Sequence, residues 1–205
     1  MKKQLLEYEL IGPHFSIRPS RESIADWYRE IPRNESNHTV KHCLPFLDAM
    51  TNGYTIVLEE DVEVKEELII GMRSSEATDP MPVPYGFLKK HFHWVQQTIV
   101  KLPDGYSALY THPLNRFDLP FLTLSGIIDD RIKNGNIPFF IRQNFEGVIP
   151  KGTPIIQILP FKRENWESKQ VDHIHTEDCA REHNPEEYVA EENYRKERWS
   201  KKSYK

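Results

Sequence analysis

Asp129 and Asp130 are the residues of this sequence best placed to do chemistry, because they end a tight turn between two apolar runs, Ser125-Gly-Ile-Ile-Asp-Asp130. A carboxylate at the end of a strand can be held by the backbone and still face a cleft, which is what a general base requires. Gly126 would permit close backbone approach by a ligand. The alternative is that both aspartates are ordinary turn residues that accept their own backbone N–H groups.

A second set of residues, His175, Cys179 and His183, has the chemistry of a metal site. They recur every four residues, so on a helix they would lie on one face with about 6 Å between successive positions. Imidazole and thiolate ligands suit zinc. The alternative is chance occurrence in a highly charged segment, because a site on one helix usually needs a further ligand from elsewhere.

His91 and His93 form a third set, separated by one residue. On a strand they share a face, which favours a solvated or ligand-lining pair. The pattern also resembles the His-x-His of cupin-like metal barrels, and that resemblance implies an iron or zinc oxygenase as a minor alternative. The glutamate that follows the pair in those barrels is absent here, since residues 94–97 read Trp-Val-Gln-Gln.

The elements that must position these residues are mainly short strands. Many of the 15 prolines stand where a strand would end, because proline cannot donate to the ladder. Strands are predicted over residues 5–10, 54–58, 62–70, 94–101, 106–110, 121–124, 137–141 and 155–159. An apolar stripe predicts a helix over about 20–31, a short helix is predicted over 43–50, and 72–85 is predicted to be a long loop.

The length of 205 residues suits one β-rich domain over residues 1–163, followed by a charged helical arm over 164–205. Burial would favour docking of Trp199, near the end of this arm, onto its own domain or a neighbouring subunit. The net charge of −4 argues against nucleic-acid binding. No apolar run approaches the roughly 20 residues of a membrane span. We therefore expect a cytoplasmic protein, in the host cytoplasm if a phage encodes it.

Four short motifs in the block over residues 102–163 carry a family resemblance. They are Leu102-Pro-Asp-Gly105, Gly126-Ile-Ile-Asp129, Lys151-Gly152 and Ile155-Ile-Gln-Ile158. In order and spacing they resemble the β-clip fold of the dUTPase and dCTP deaminase superfamily. The resemblance implies a β-clip barrel, a homotrimer, and a role for Asp129 in holding the attacking water beside a nucleotide. Over its whole length the chain also resembles a family of tailed phages and bacteria.

The chain departs from this family where nucleotide chemistry would need it most. The position of the serine-rich phosphate motif reads His112-Pro-Leu-Asn-Arg116, where Arg116 could neutralise one phosphate. Arg131-Ile132 replaces the tyrosine that would stack on the nucleoside. The strand that carries the deaminase glutamate reads Ile137-Pro-Phe-Phe-Ile-Arg142, which has no carboxylate. These departures favour a catalytically degenerate member of the superfamily.

The leading hypothesis is a phage-type protein that binds a small molecule or a protein partner and forms a homo-oligomer. Its predicted cleft is lined by Tyr106, His112, Arg116, Gly126, Asp129 and Asp130. One alternative is a nucleotide hydrolase with Asp129 as general base and Arg116 on a phosphate. Another is a virion or assembly component. The cofactor stays open between Mg²⁺ with a nucleotide and Zn²⁺.

Overall fold

The computed structural model describes residues 4–32, 39–70, 74–77, 81–95, 98–129, 136–170, 195–196 and 199–204. Within them the chain is mainly β, with two short α-helices, α1 (Asp26–Glu30) and α2 (Leu44–Thr51). The strands are β1 (Glu7–Leu10), β2 (Phe15–Pro19), β3 (Tyr54–Leu58), β4 (Val62–Lys65), β5 (Leu68–Ile70), β6 (Ser74–Ala77), β7 (His91–Val95), β8 (Thr98–Lys101), β9 (Tyr106–Thr111), β10 (Phe121–Thr123), β11 (Gly126–Ile128), β12 (Asn136–Ile141), β13 (Gly147–Ile149) and β14 (Pro154–Lys162). The predicted mainly β class is confirmed.

The strands of the described residues form four sheets, and every pairing in them is antiparallel. The five-stranded sheet has the order β11-β9-β14-β3-β2, and the four-stranded sheet has the order β10-β12-β7-β6. A three-stranded sheet, β13-β4-β5, and the pair β1-β8 complete the set. In the five-stranded sheet, β11 and β2 are therefore the two edges.

The main core lies between the two larger sheets and is built from aliphatic and aromatic side chains. Trp94 stacks on Phe139 with ring centroids 3.7 Å apart, and both are fully buried. The indole N–H of Trp94 donates to Thr123 Oγ1 at 3.1 Å, and that hydroxyl donates to the Ile155 carbonyl at 2.7 Å. Because Thr123 is on β10 and Ile155 on β14, this chain of hydrogen bonds joins the two sheets through the core.

A smaller cluster packs the helices onto the five-stranded sheet. Tyr28 of α1 and Phe46 of α2 stack at 6.0 Å, and Tyr28 belongs to the buried centre of this cluster. The buried Gln157 of β14 holds the C-terminal end of α2 against the sheet. Its amide N–H₂ donates to the carbonyls of Ala49 at 2.8 Å and Asn52 at 2.7 Å. A buried amide with these partners explains a glutamine at the centre of an otherwise aliphatic strand.

Several element boundaries differ from the predictions. The helix predicted over about 20–31 is a short 3-10 turn, Ser20–Ser23, followed by α1, with extended backbone at Ile24 and Ala25 between them. Ser20 does not cap a helix, because its buried hydroxyl accepts the hydroxyl of Thr55 at 2.8 Å. The tertiary contact therefore outweighs the apolar stripe that favoured one continuous helix.

Other differences lie in the strands. The strand predicted over residues 62–70 is the hairpin β4–β5, because Glu66 and Glu67 adopt left-handed φ values of 52° and 57° and turn the chain back. The strand predicted over 94–101 is the end of β7 and all of β8. The loop predicted over 72–85 contains β6, and the predictions missed β2, β11 and β13.

The last described residues dock on α2 of the same chain. Trp199 donates its indole N–H to Asp48 Oδ2 at 2.9 Å, and Lys202 Nζ pairs with the same oxygen at 2.5 Å. The Tyr204 hydroxyl bonds to the side chain of Asn52, and its ring meets Tyr54 edge-on at 5.7 Å. Of the two alternatives predicted for Trp199, its own domain or a neighbouring subunit, the structure shows a contact within the same chain. None of the helices among the described residues is both long and apolar enough to cross a membrane.

Candidate functional site

Asp129 lies just beyond the edge strand β11, opposite a serine of the neighbouring strand. The antiparallel register pairs Ile128 with Ala108, so the next position along each strand brings Asp129 beside Ser107. The Ser107 hydroxyl donates to Asp129 Oδ1 at 2.6 Å. Ser107 is buried and Asp129 is exposed, so the serine fixes the carboxylate from inside while it faces solvent.

A cleft of about 460 Å³ opens beside this pair. It is lined by Ser107, Ile127, Asp129, Phe161, Lys162, Arg163, Glu164, Asn165 and Trp166. Three of the lining residues have large apolar side chains that are exposed to solvent: 65% for Ile127, 40% for Phe161 and 85% for Trp166. Exposed apolar side chains gathered beside the carboxylate of Asp129 are typical of a binding site.

The two cationic residues of the cleft, Lys162 and Arg163, differ in their contacts. Lys162 Nζ pairs with Glu164 at 2.5 Å, and this hydrogen bond raises the pKa of Lys162 above its usual value. The backbone N–H of Arg163 donates to the Gly105 carbonyl at 2.8 Å, which fixes the chain where it leaves β14. Within the described part of the chain, the guanidinium of Arg163 forms no ion pair. It is therefore the cation of the cleft with capacity for a ligand.

His112 was predicted to line this cleft, but the structure places it in a closed network elsewhere. Its Nδ1 accepts the backbone N–H of Thr123 at 3.3 Å, and its Nε2 lies 3.1 Å from the Arg116 carbonyl. A carbonyl can only accept, so Nε2 carries the hydrogen and the imidazole is neutral. Burial, the largest cause, lowers the pKa of His112 below its usual value, in agreement with this neutral form.

Arg116 is also held by the protein itself. Its guanidinium forms a two-point pair with Asp118, at 2.9 Å and 2.7 Å, and donates to the Ser23 carbonyl at 3.1 Å. Burial favours the neutral form of Asp118, but the hydrogen bonds and charge of Arg116 hold the pKa of that carboxyl below its usual value. Trp27 donates to the same carboxylate at 3.2 Å. Arg116 thus ties the loop between β9 and β10 to the 3-10 turn at Ser23, and its guanidinium is occupied by these contacts.

The remaining predicted residues are distributed as follows. Tyr106 packs partly buried against the main core and does not line the cleft. Gly126 is exposed on β11 without a left-handed φ, and a Cβ added there would meet nothing within 4 Å. Among the described residues predicted for the site, only Asp129 lies in the cleft. Asp130 falls outside the described residues, as does the metal set His175, Cys179 and His183.

The pair His91 and His93 does share a face of β7, as its spacing predicts, with ring centroids 5.1 Å apart. His91 is buried against Phe140, so the expectation of a solvated pair is wrong for this residue. Neither histidine lines the cleft beside Asp129. In the parts of the chain that the structure describes, no three His, Cys, Asp or Glu side chains converge as a metal site requires.

The predictions missed two aromatic residues that line the cleft, Phe161 and Trp166. They also missed the two cationic residues between them in the sequence, Lys162 and Arg163. A usable signal was present in the sequence. Phe161 is the last aromatic of the final strand, and Trp166 stands in the charged segment that follows it. Tryptophan is enriched at binding surfaces, so a tryptophan in a polar segment is a candidate binding residue. The sequence does not indicate which edge of the sheet it lies at.

No protein-family model matches this chain, and neither does any curated protein sequence. Solved structures of phage dUTPases are similar to it at low identity. A mutant dUTPase from phage phi11 of S. aureus, described with a structural Mg(II) ion, is 16% identical, with 79% of this chain and 99% of that chain covered and a TM-score of 0.32.

Two dUTPase mutants of Staphylococcus bacteriophage 80alpha are similar as well. One, with dUpNHpp, is 16% identical over 85% of this chain and 92% of that chain, with a TM-score of 0.35. The other is 15% identical over 84% of this chain and 99% of that chain, with a TM-score of 0.33. The mainly β class of the described residues agrees with the fold class that the motifs imply.

Proposed function

We propose that this protein binds a small molecule in the cleft beside Asp129 and is catalytically degenerate. The observation that carries the proposal is the group of exposed apolar walls, Ile127, Phe161 and Trp166, around a carboxylate that Ser107 holds in place. Such walls favour a ligand with a flat apolar part, because aromatic faces gain most from stacking. Asp129 would accept a hydrogen bond from an N–H or O–H group of the same ligand.

The degeneracy is supported by the position of Arg116. A nucleotide hydrolase needs cationic groups that stabilise the charge of the phosphates, together with its base. The guanidinium of Arg116 is already used by Asp118 and the Ser23 carbonyl. Arg163 is the remaining cation without a partner in the described part of the cleft, and one arginine can bind one anionic group without completing a catalytic centre.

The test is a thermal-shift panel of nucleobases, nucleosides and nucleotides, dUTP and dCTP included, followed by titration of any compound that stabilises the protein. Trp166→Ala is expected to weaken binding about fivefold or more, because one base stacked on an aromatic ring is worth about 1–3 kcal/mol. Asp129→Asn is expected to weaken binding as well. Phe117→Ala is the matched control, since Phe117 is equally an exposed aromatic, at 69%, and does not line the cleft.

If no compound of the panel binds, or if Phe117→Ala weakens binding as much as Trp166→Ala, the small-molecule proposal is wrong. The alternative of a nucleotide hydrolase is favoured by one observation, the orientation of Asp129 by Ser107 at 2.6 Å. Turnover of a nucleotide with Mg²⁺ that disappears in Asp129→Asn would establish that alternative and overturn the degenerate reading.

Other expectations stay proposals. They are the homo-oligomer, the division into a domain over 1–163 and an arm over 164–205, the cytoplasmic location, and the zinc set of His175, Cys179 and His183. Light scattering measures the first, and elemental analysis of the purified protein measures the last.

A further inference from the structure

A second cavity, of about 530 Å³, shares none of its described lining residues with the cleft beside Asp129. It is lined by Glu67, Leu88, Lys89, Lys90, Gln143 and Asn144. Its volume is within the range of small-molecule sites. Five of the six described lining residues are polar or charged, and they carry two ammonium groups, two carboxamides and one carboxylate.

Three chain segments build this cavity, and hydrogen bonds hold them to one another. The backbone N–H of Leu88 donates to the Ile141 carbonyl, and that of Gln143 donates to the Gly86 carbonyl, each at 2.9 Å. These bonds join the segment before β7 to the turn after β12. The tip of the β4–β5 hairpin joins the same turn, because Glu146 Oε1 accepts the Glu66 N–H at 3.2 Å. These hydrogen bonds hold the three segments that frame the cavity together.

Two lining residues have left-handed backbone conformations. Glu67 has a φ of 57° and Asn144 a φ of 61°. Asparagine tolerates this region, whereas glutamate is seldom found there. The conformation of Glu67 is that of the second turn residue of the β4–β5 hairpin. Here these conformations point the chain so that Glu67 and Asn144 border the same cavity.

The described lining residues include more positively charged than negatively charged side chains. Lys89 and Lys90 are consecutive, and both border the cavity. Lysine binds phosphate and carboxylate groups as a point charge, and the amides of Gln143 and Asn144 add neutral N–H donors. Among the described lining residues, Glu67 is the single carboxylate beside the two lysines, so the charges of these residues sum to +1.

We infer that this cavity binds the anionic group of a small molecule, a phosphate or a carboxylate. Lys89 and Lys90 supply the charge, and the two amides supply directed hydrogen bonds. Glu67 weakens the attraction for a bare anion and accepts a hydrogen bond from a hydroxyl or amino group of the same ligand. This site is independent of the proposed function at Asp129, so either proposal can fail without the other.

The test follows the backbone amide resonances of ¹⁵N-labelled full-length protein during titration with inorganic phosphate and, separately, with acetate. Chloride keeps the ionic strength constant, because charge attraction is screened by salt. We expect saturable shifts confined to residues 88–90 and 143–144. The ratio of the two dissociation constants tells whether the site prefers phosphate or carboxylate.

Three variants test whether the charges of the lining residues determine anion binding. Lys89→Gln combined with Lys90→Gln is expected to weaken anion binding about fivefold or more, because exposed ion pairs each contribute a factor of about two to five. Glu67→Gln removes a like charge and is expected to strengthen binding about twofold. Lys169→Gln is the matched control, because it removes one positive charge from an exposed side chain outside the cavity.

Opposite effects of the lysine and glutamate substitutions cannot arise from partial unfolding, which would weaken binding in both. Shifts that do not saturate, or that persist unchanged in the double lysine variant, would show that no anion site exists here. Weaker binding in Glu67→Gln would overturn the charge assignment in the same way.

Discussion

The two edges of the five-stranded sheet each carry a carboxylate that accepts a serine hydroxyl, but their surroundings differ. At the β11 edge, Ser107 donates to Asp129 at 2.6 Å. At the β2 edge, Ser16 donates to Glu59 at 2.5 Å. Glu59 also receives Arg18 Nη2 at 2.5 Å and Lys151 Nζ at 3.1 Å. Asp129 has no cation beside its carboxylate in the described part of the chain.

This difference separates a carboxylate that stabilises the fold from one that can serve a ligand. The hydrogen bond from Ser16, followed by those from Lys151 and Arg18, lowers the pKa of Glu59 to about 2. Arg18 and Lys151 balance the charge of Glu59, so its carboxylate has little capacity to bind a partner from solution. Among the described residues, the Asp129 carboxylate accepts one hydrogen bond, from Ser107, and has exposed apolar neighbours, so it has capacity for a ligand.

The largest expected effect tests this contrast through stability. Glu59→Ala is expected to lower the free energy of unfolding by about 2–3 kcal/mol, because Arg18, Lys151 and Ser16 all lose a charged partner. Asp129→Ala is expected to lower it by at most about 1 kcal/mol, since water can replace its exposed carboxylate on Ser107. Urea unfolding of both variants and the parent measures the difference. Equal losses would show that Asp129 is a structural carboxylate too.

The next effect concerns acid. Because the pKa of Glu59 is lower in the folded protein than its usual value of 4.5, the unfolded chain takes up this proton first as the pH falls. The contribution of Glu59 is therefore present above about pH 4.5 and is lost as the pH approaches 2. Allowing for solvent screening of this surface cluster, we expect the loss to be about 1–2 kcal/mol.

Glu59→Gln keeps the shape and one acceptor oxygen but cannot titrate, so it is the control for this loss. The free energy of unfolding, measured by urea at several pH values between 6 and 2.5, should fall less steeply in this variant. If parent and variant fall with the same slope, the low pKa of Glu59 is not a source of stability.

Much of the fold could be predicted because its signals are local. Alternation and turn residues predict β3 and β9 to within a residue or so, and the motif at 155–159 predicts β14. The single helix over about 20–31 could not be excluded from the sequence, because Ser20 is used by Thr55, which lies 35 positions away. The edge strand β11 is too short and too exposed to show a pattern of burial.

The site was predictable in one residue and not in its surroundings. Asp129 follows from the turn alone. The roles of His112 and Arg116 depend on partners that come from other elements, such as the Ser23 carbonyl, 93 positions from Arg116. No spacing along the chain indicates that Trp166 returns to the edge where Ile127 lies. Residue type thus identified groups able to do chemistry, and only the tertiary contacts show which of them are already used.

The smallest expected effect is that of Gly126→Ala, and it tests how far along the β11 edge a ligand reaches. Gly126 was predicted to allow close approach by a ligand, yet it does not border the cleft. An added Cβ meets nothing within 4 Å, and the φ of Gly126 is not left-handed. We therefore expect the free energy of unfolding to change by less than about 0.5 kcal/mol and the affinity of any compound bound beside Asp129 to change less than about twofold. A larger loss of affinity at unchanged stability would show that the ligand extends from the cleft onto the backbone of the edge strand, so that this edge, unlike the one at Glu59, is a binding surface along its length.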